Sequence, residues 1–300
     1  MGKLAIISDL HADINKFTPA DLHEIAGYIR ELGATRLHIA GDISNRFARE
    51  GEEIIETLNQ VLPTTFNFGN HDMLSVARIE DSLAPGFLNF TPLPLANDTV
   101  LLAFNGWYDY GYARDPEGRR PSDLLVSQYK KRYWIDQFIK RPESDPSISQ
   151  QLEARLDRSL ETLERQGQRV IIATHFVPQQ DFIFYPKPEN KRAITWRTLE
   201  GLLGSQAIGD TISKYNTVSD VVFGHIHART GVKSINNIDW HCRPIGYRYE
   251  WAFTQNWLRE RGLPPRFHFA RQPKVQTAYL EDLHQNWEQI LHDAVTLLDY

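Results

Sequence analysis

The chain has 300 residues, 41% of them hydrophobic and 24% charged, with a formal net charge of −5 and a pI near 6.1. That composition matches an ordinary globular domain with ample chain to bury a core, and the acidic balance argues against a protein dedicated to nucleic-acid backbone. Cys242 is the only cysteine, which excludes an internal disulfide. The sequence has no leader-like apolar run at its start and no run of membrane-spanning length, so the expected location is the cytoplasm, with no membrane partner.

Leu4 to Ser8 reads as a buried strand that ends in Asp9-Leu10-His11. On an extended backbone Asp9 and His11 point to one face, and a carboxylate beside an imidazole is half of a metal site. Thr18-Pro19 then opens a helix, with Thr18 as cap, Leu22, Ile25, Ala26 and Ile29 as its apolar face, and Gly33 as its stop. Leu37 to Ala40 is a second strand, running into Gly41-Asp42. A second helix around Ile54 to Leu62 stops at Pro63. Thr64 to Phe68 is a third strand, running into Gly69-Asn70-His71-Asp72. Alternating strands and helices predict a parallel sheet, and ligands of such sheets sit beyond the carboxyl ends of the strands.

After a strand at Val100 to Phe104 the rhythm breaks. Asn105 to Pro121 is rich in Gly, Tyr, Arg and Asp, and Leu124 to Ile139 reads as an aromatic, basic helix. Between Asp109 and Arg141 there are eight Lys/Arg against five Asp/Glu. Asp145-Pro146 opens a cleaner helix closed by Gly167, and Val170 to Thr174 is a strand ending at His175. Phe176 to Trp196 reads as a long loop. Asp220 to Phe223 is a strand running into Gly224-His225-Ile226-His227, and short strands follow at Gly231–Ile235 and Ile238–His241. Leu280 to Leu298 has helical periodicity. The expected organisation is one domain over 1–300, with a cap or lid insertion at 105–145 and an extension at 243–300 that ends in an amphipathic helix.

Five polar clusters therefore follow predicted strands: Asp9/His11, Asp42, Asn70/His71, His175 and His225/His227. Carboxylate, imidazole and amide oxygen suit borderline or hard divalent metals, and the absence of a thiolate cluster excludes a structural zinc module. Seven ligands exceed what one metal needs, and with one bridging carboxylate they suffice for two. Gly41, Gly69 and Gly224 sit beside ligands, where a missing side chain admits close backbone approach.

This ordered string resembles the calcineurin-like metallophosphoesterase superfamily: Asp9-Leu10-His11, Gly41-Asp42, Gly69-Asn70-His71-Asp72, His175 and Gly224-His225-Ile226-His227. The resemblance spans residues 3 to about 241 and implies an α/β fold, a two-sheet β-sandwich flanked by helices (αββα). It implies two metal ions, with Mn, Fe or Zn as the candidates. One would take Asp9, His11, Asp42 and His227, the other Asp42, Asn70, His175 and His225. A metal-bridged hydroxide would attack phosphorus, with Asp42 and His71 as catalytic residues. His71 would stabilise the phosphoryl oxygens or protonate the leaving group. The sequence departs from the protein serine/threonine phosphatases of this superfamily at Asn45, where they carry Asp, and they also have an Arg-Gly that is missing here. The resemblance thus implies hydrolysis of a small phosphorylated substrate, with a leaning toward diesters or activated phosphates. A nuclease is less favoured by the net charge. A non-catalytic scaffold is the reading from another class, and it is opposed by the intact ligand set.

Weaker candidates remain. Arg114, Arg119 and Arg120 in the basic stretch, and Lys191, Arg192 and Arg229 just past metal-site loops, are candidate phosphate-binding side chains. The stretch from Trp107 to Trp134 is either an aromatic cap packed on the sandwich or a lid that supplies cations and stacking faces. His23, His38, His268, His284 and His292 read as structural or surface histidines, with His241 a marginal candidate for the site.

Overall fold

The computed structural model describes residues 2–79, 82 and 84–300. Its strands are β1 (Lys3–Ile7), β2 (Arg36–Ala40), β3 (Thr64–Asn67), β4 (Leu93–Pro94), β5 (Thr99–Phe104), β6 (Arg169–Thr174), β7 (Val218–Phe223), β8 (Gly231–Ile235), β9 (Ile238–Cys242) and β10 (Thr296–Asp299). They form two sheets, of order β10-β1-β2-β3 and β4-β5-β6-β7-β9-β8. Neighbours are parallel within β1-β2-β3 and within β5-β6-β7-β9, while β10, β4 and β8 are antiparallel edges.

Side-chain alternation along the strands builds the layers. Leu4, Ile6, Leu101, Ala103, Ile171, Ala173, Val222 and Leu298 pack between the sheets. Their neighbours Ala5, Ile7, Leu37, Ile39, Leu102, Ile172 and Val221 belong to the cluster that includes the helical residues Leu22, Ile25, Ile29, Leu156 and Leu160. Both faces of each sheet are covered, which is why the strands read as apolar runs rather than as alternating patterns. The helix Pro19–Glu31 carries a full capping box. Asp21 N donates to Thr18 Oγ1 at 3.2 Å and Thr18 N to Asp21 Oδ2 at 2.7 Å, a cap contributing about 1 kcal/mol.

Two stretches differ from the sequence reading. Phe176 to Trp196 is not wholly loop: Asn190 caps a helix over Lys191–Leu199 by accepting from Ala193 N at 3.0 Å. The helical pattern over 280–298 does not form one helix, so the extension at 243–300 ends in a strand. Helices Pro273–His284 and Trp287–Leu291 are followed by β10, whose backbone satisfies the edge of β1 from Lys3↔Asp299 to Ile6↔Thr296. An unpaired β1 edge is a stronger demand than the helical period of four residues.

Between β5 and β6 the aromatic insert turns inward. Trp107, Tyr108, Tyr110 and Tyr112 are buried. Asp145, at the start of helix Asp145–Arg165, accepts from Trp107 Nε1 and Lys130 Nζ, each at 2.8 Å, and from Tyr110 Oη. Lys130 therefore belongs to a buried ion pair and not to a basic surface.

His38 of β2 lies fully buried on the face toward the second sheet. Its Nε2 donates to Asn67 Oδ1 at 3.0 Å and its Nδ1 accepts from Thr65 Oγ1 at 2.9 Å. Burial pushes this imidazole down to about 4, against the opposing effect of the Asn67 hydrogen bond. The unfolded chain then takes up the proton first. The contribution of His38 to stability is complete above pH 6.5, falls by roughly 3 kcal/mol between pH 6.5 and 4, and is flat below. Urea unfolding across that range should show this loss in the wild type but not in His38→Gln. Parallel pH profiles, within about 0.5 kcal/mol, would contradict it.

Candidate metal centre

All the motif side chains leave the carboxyl ends of parallel strands: β1, β2 and β3 from one sheet, β6 and β7 from the other. The loops are laced by their backbones. Asp9 N donates to Gly41 O at 3.0 Å, His11 N to Asp42 O at 2.8 Å, and Gly224 N to His175 O at 3.1 Å. Asp9, His11, Asp42, His225 and His227 all have positive φ, between 44° and 71°. The i, i+2 pairs therefore converge through left-handed turns just past the strands, not through the extended alternation read from the sequence. Such backbone is uncommon outside glycine and concentrates at functional sites.

Four of the donor side chains have an identifiable anchor, while His11 Nδ1 is buried without one. His175 Nδ1 donates to Ala40 O at 3.0 Å, His225 Nε2 to Leu202 O at 3.2 Å, and His227 Nδ1 to Glu250 Oε2 at 3.0 Å. These bonds turn His175 Nε2, His225 Nδ1 and His227 Nε2 inward, the nitrogens that would offer lone pairs to a cation. Asn70 is oriented the same way: its Nδ2 donates to the buried Asp136 Oδ1 at 2.7 Å, which turns Oδ1 toward His175 Nε2 at 3.1 Å and His225 Nδ1 at 3.0 Å. Asp9, His11, Asp42 and His227 offer donor atoms that all lie within 4.8 Å of one another, and so do Asp42, His175 and His225. Asp42 belongs to both groups. Converging lone pairs of this type fit divalent cations, and the buried Asp/His group could hold metal.

The charges agree with that fit. Burial raises the Asp9 carboxyl, but the His227 hydrogen bond and charge outweigh it and bring it to about 2. Burial lowers His175 and His227, yet Asp42 pushes the first up to about 9, while Asp9 and Glu250 push the second up to about 10. Burial, assisted by His175, takes His225 down to about 3. The carboxylates thus create a strongly negative pocket that draws positive charge. Close approach is built in. A Cβ at Gly41, where φ is +81°, would lie 2.7 Å from His175 Nδ1, and one at Gly224 would overlap the Asp9 carboxylate.

His71 sits at the rim, with Nε2 3.9 Å from Asp42 Oδ2 and its backbone N donating to Asp42 Oδ1 at 2.9 Å. Its Nδ1 donates to Asn45 Oδ1, so the position singled out in the sequence is the His71 partner, and it is a neutral amide. Asp72 does not orient His71. Its carboxylate accepts from the backbone N–H groups of Asp42, Ile43, Ser44 and Gly69 at 2.8–2.9 Å. Three residues missed in the sequence complete the surroundings. Glu250 anchors His227 and Asp136 anchors Asn70. Tyr247 lies over the cluster, with ring centroids 4.5 Å from His11 and 4.3 Å from His227 and its hydroxyl 3.4 Å from His71 Nε2. The only signal for Tyr247 and Glu250 was the aromatic-rich, irregular run after Arg243.

The arginine candidates do not join the cluster. Arg119 pairs with Asp115 and Glu117, and Arg120 with Asp123, on the exposed surface. Arg114 donates to the Gly111 and Ala113 carbonyls. Arg229 donates to the carbonyls of Pro244, Ile245 and Ile290, bracing the loop that carries Tyr247. Arg192 is exposed on its helix, next to Lys191. A cavity of about 530 Å³ opens above Asp42, Asn70, His71, His225 and His227, and none of these arginines lines it. His241 pairs with Asp220 at 3.0 Å, buried away from the cavity wall. Among the described residues no helix is long and apolar enough to cross a membrane.

Comparison with curated protein sequences finds no match. Among solved structures the chain is similar to a dimetal phosphatase from Danio rerio, with 14% identity and a TM-score of 0.51 over 82% of this chain and 88% of that one. It is also similar to an NAD nucleotidase from Haemophilus influenzae (12% identity, TM-score 0.40, 79% of this chain and 40% of that one). A protein serine/threonine phosphatase from Saccharomyces cerevisiae matches at 14% identity and a TM-score of 0.34, over 82% of this chain and 68% of that one. The likeness to the Danio rerio protein is one of fold, the two-sheet α/β sandwich. The family model described as calcineurin-like phosphoesterase matches residues 2–229, and the chain belongs to that family.

Proposed function

We propose that the protein hydrolyses small phosphoesters at this cluster with two divalent cations. Asp9, His11, Asp42 and His227 would hold one, and Asp42, Asn70, His175 and His225 the other. The observation that carries this reading is the Asp42 carboxylate, which is shared by two groups of converging donors. Bound there, such cations supply Lewis acidity at the phosphoryl group and make water acidic enough to attack phosphorus at neutral pH. Mn, Fe and Zn all suit the donor set.

The chain's own groups do the rest. Glu250, Ala40, Leu202 and Asp136 fix which face each donor presents. His71 Nε2 faces the phosphoryl position, where in the protonated state it donates to an equatorial oxygen or to the leaving group. Because Asn45 is neutral, it orients the imidazole without stabilising an imidazolium as a carboxylate would. That supports preference for diesters or activated monoesters, whose leaving groups depart without a strong acid. Among the described residues no lysine or arginine lines the cavity, which supports a small substrate over a polynucleotide. In this reading 1–300 works as one unit, and the segments 105–145 and 243–300 supply walls to a common core.

Wild-type protein reconstituted with Mn²⁺ should carry close to two equivalents of metal and turn over bis-p-nitrophenyl phosphate. Asp42→Asn should keep its circular dichroism spectrum and lose that turnover by at least ~10³-fold. Less than one equivalent of bound metal in the wild type would overturn the dinuclear reading. Asp136→Asn should leave the fold intact and weaken metal affinity about 10-fold or more, since it frees the Asn70 amide to flip. Affinity equal to wild type would remove Asp136 from that role. Asn45→Asp should raise kcat for an alkyl monoester relative to p-nitrophenyl phosphate by roughly 10-fold or more. An unchanged ratio would show that His71 does not act on the leaving group.

A further inference from the structure

The cavity above the cluster has a second wall that phosphoryl chemistry does not use. Trp134 and Ile135 come from the insert, Phe182 and Phe184 from the loop after β6, and Trp196 and Glu200 from helix Lys191–Leu199 and the turn after it. Phe184 is 80% exposed and Trp196 42%, although both line a cavity. Large exposed rings beside a cavity mark a contact surface for something that arrives.

Glu200 is the polar group of that wall. It is fully buried, and neither carboxyl oxygen has a hydrogen-bond partner. The guanidinium groups nearest to it are engaged elsewhere: Arg114 with the Gly111 and Ala113 carbonyls, Arg197 with those of Asp115 and Pro186. A buried carboxyl without donors is costly and uncommon, and it calls for a reason. Burial pushes it up to about 8, so near neutral pH it is largely protonated until an arriving cation draws it into the carboxylate form.

The rings narrow the choice of partner. Trp134 and Trp196 have centroids 6.1 Å apart and planes tilted by 50°. They form a corner and not the parallel slot into which a flat base would slide. Several ring surfaces beside a carboxyl, with no lysine or arginine among the described residues of the cavity lining, suit a compact organic cation attracted by the ring quadrupoles.

We infer that this wall is a subsite for an organic ammonium group carried on the alcohol portion of the phosphoester, with Glu200 as its counter-charge and Trp134 and Trp196 as its ring faces. The inference rests on the phosphoesterase reading above, and two experiments separate them. The first is binding, read by isothermal titration with choline and its uncharged isostere 3,3-dimethylbutan-1-ol. Wild type should bind choline at least ~10-fold more tightly. Glu200→Gln should bring the two within about twofold, and Trp196→Leu should weaken choline alone. The second is the ratio of kcat/KM for phosphocholine over 3,3-dimethylbutyl phosphate, which should exceed ~10 in wild type and collapse in Glu200→Gln. Equal binding of the two alcohols, or tighter binding of guanosine or adenosine than of choline, overturns the ammonium subsite even if p-nitrophenyl phosphate is hydrolysed. Selective choline binding without hydrolysis of any phosphoester would instead overturn the catalytic reading and leave the subsite standing.

Discussion

Four backbone N–H groups converge on the Asp72 carboxylate, and the arrangement of the centre depends on that clamp. Three of them belong to the loop after β2 and one to the loop after β3. Burial and the neighbouring Asp42 push this carboxyl up to about 7, and hydrogen bonds to it contribute about 0.5–3 kcal/mol each according to its charge, enough together to hold the two loops. Asp42, shared by both donor groups, is immobilised from behind by its own N–H on Asp72 and from in front by the His71 N–H on its carboxylate. The shared position of Asp42 is thus set by backbone hydrogen bonds.

Much of this was legible in the sequence. Short apolar runs that end in Asp-x-His, Gly-Asp, Gly-Asn-His-Asp, His and Gly-His-x-His locate strand ends and donors together, because a parallel sheet exposes only its strand ends. The second sheet was not legible from periodicity: strands covered on both faces look alike whichever sheet they join. The supports were hidden for a related reason. Asp136, Tyr247 and Glu250 act from irregular segments, where no period or motif marks a single polar or aromatic residue. The basic stretch misled through composition. Charge counting cannot tell the inward Lys130, paired with Asp145, from the outward Arg119 and Arg120.

The motif donors and the groups that support them come from different parts of the chain. The matched region, 2–229, holds every motif donor, while Glu250 and Tyr247 lie beyond it and Trp134 and Asp136 lie in the insert between β5 and β6. The motif donors come from strand ends of the matched region, whereas the cavity wall draws on irregular segments and on residues beyond it. Among the described residues this aromatic wall has no lysine or arginine, so it offers extra phosphates no counter-charge.

The left-handed turns have a consequence for exchanging the donors. Asp, Asn and His are among the few residues other than glycine that tolerate positive φ, so at 9, 11, 42, 225 and 227 the same side-chain types satisfy both donor chemistry and backbone geometry. Replacing any of them by Glu or Cys to change metal preference would add backbone strain to altered coordination. Asn70 opens a helix and His175 follows a strand with no positive φ. The centre is therefore unequal in its evolvability: a change of donor would cost little backbone strain at 70 and 175 and more at 9, 11, 42, 225 and 227.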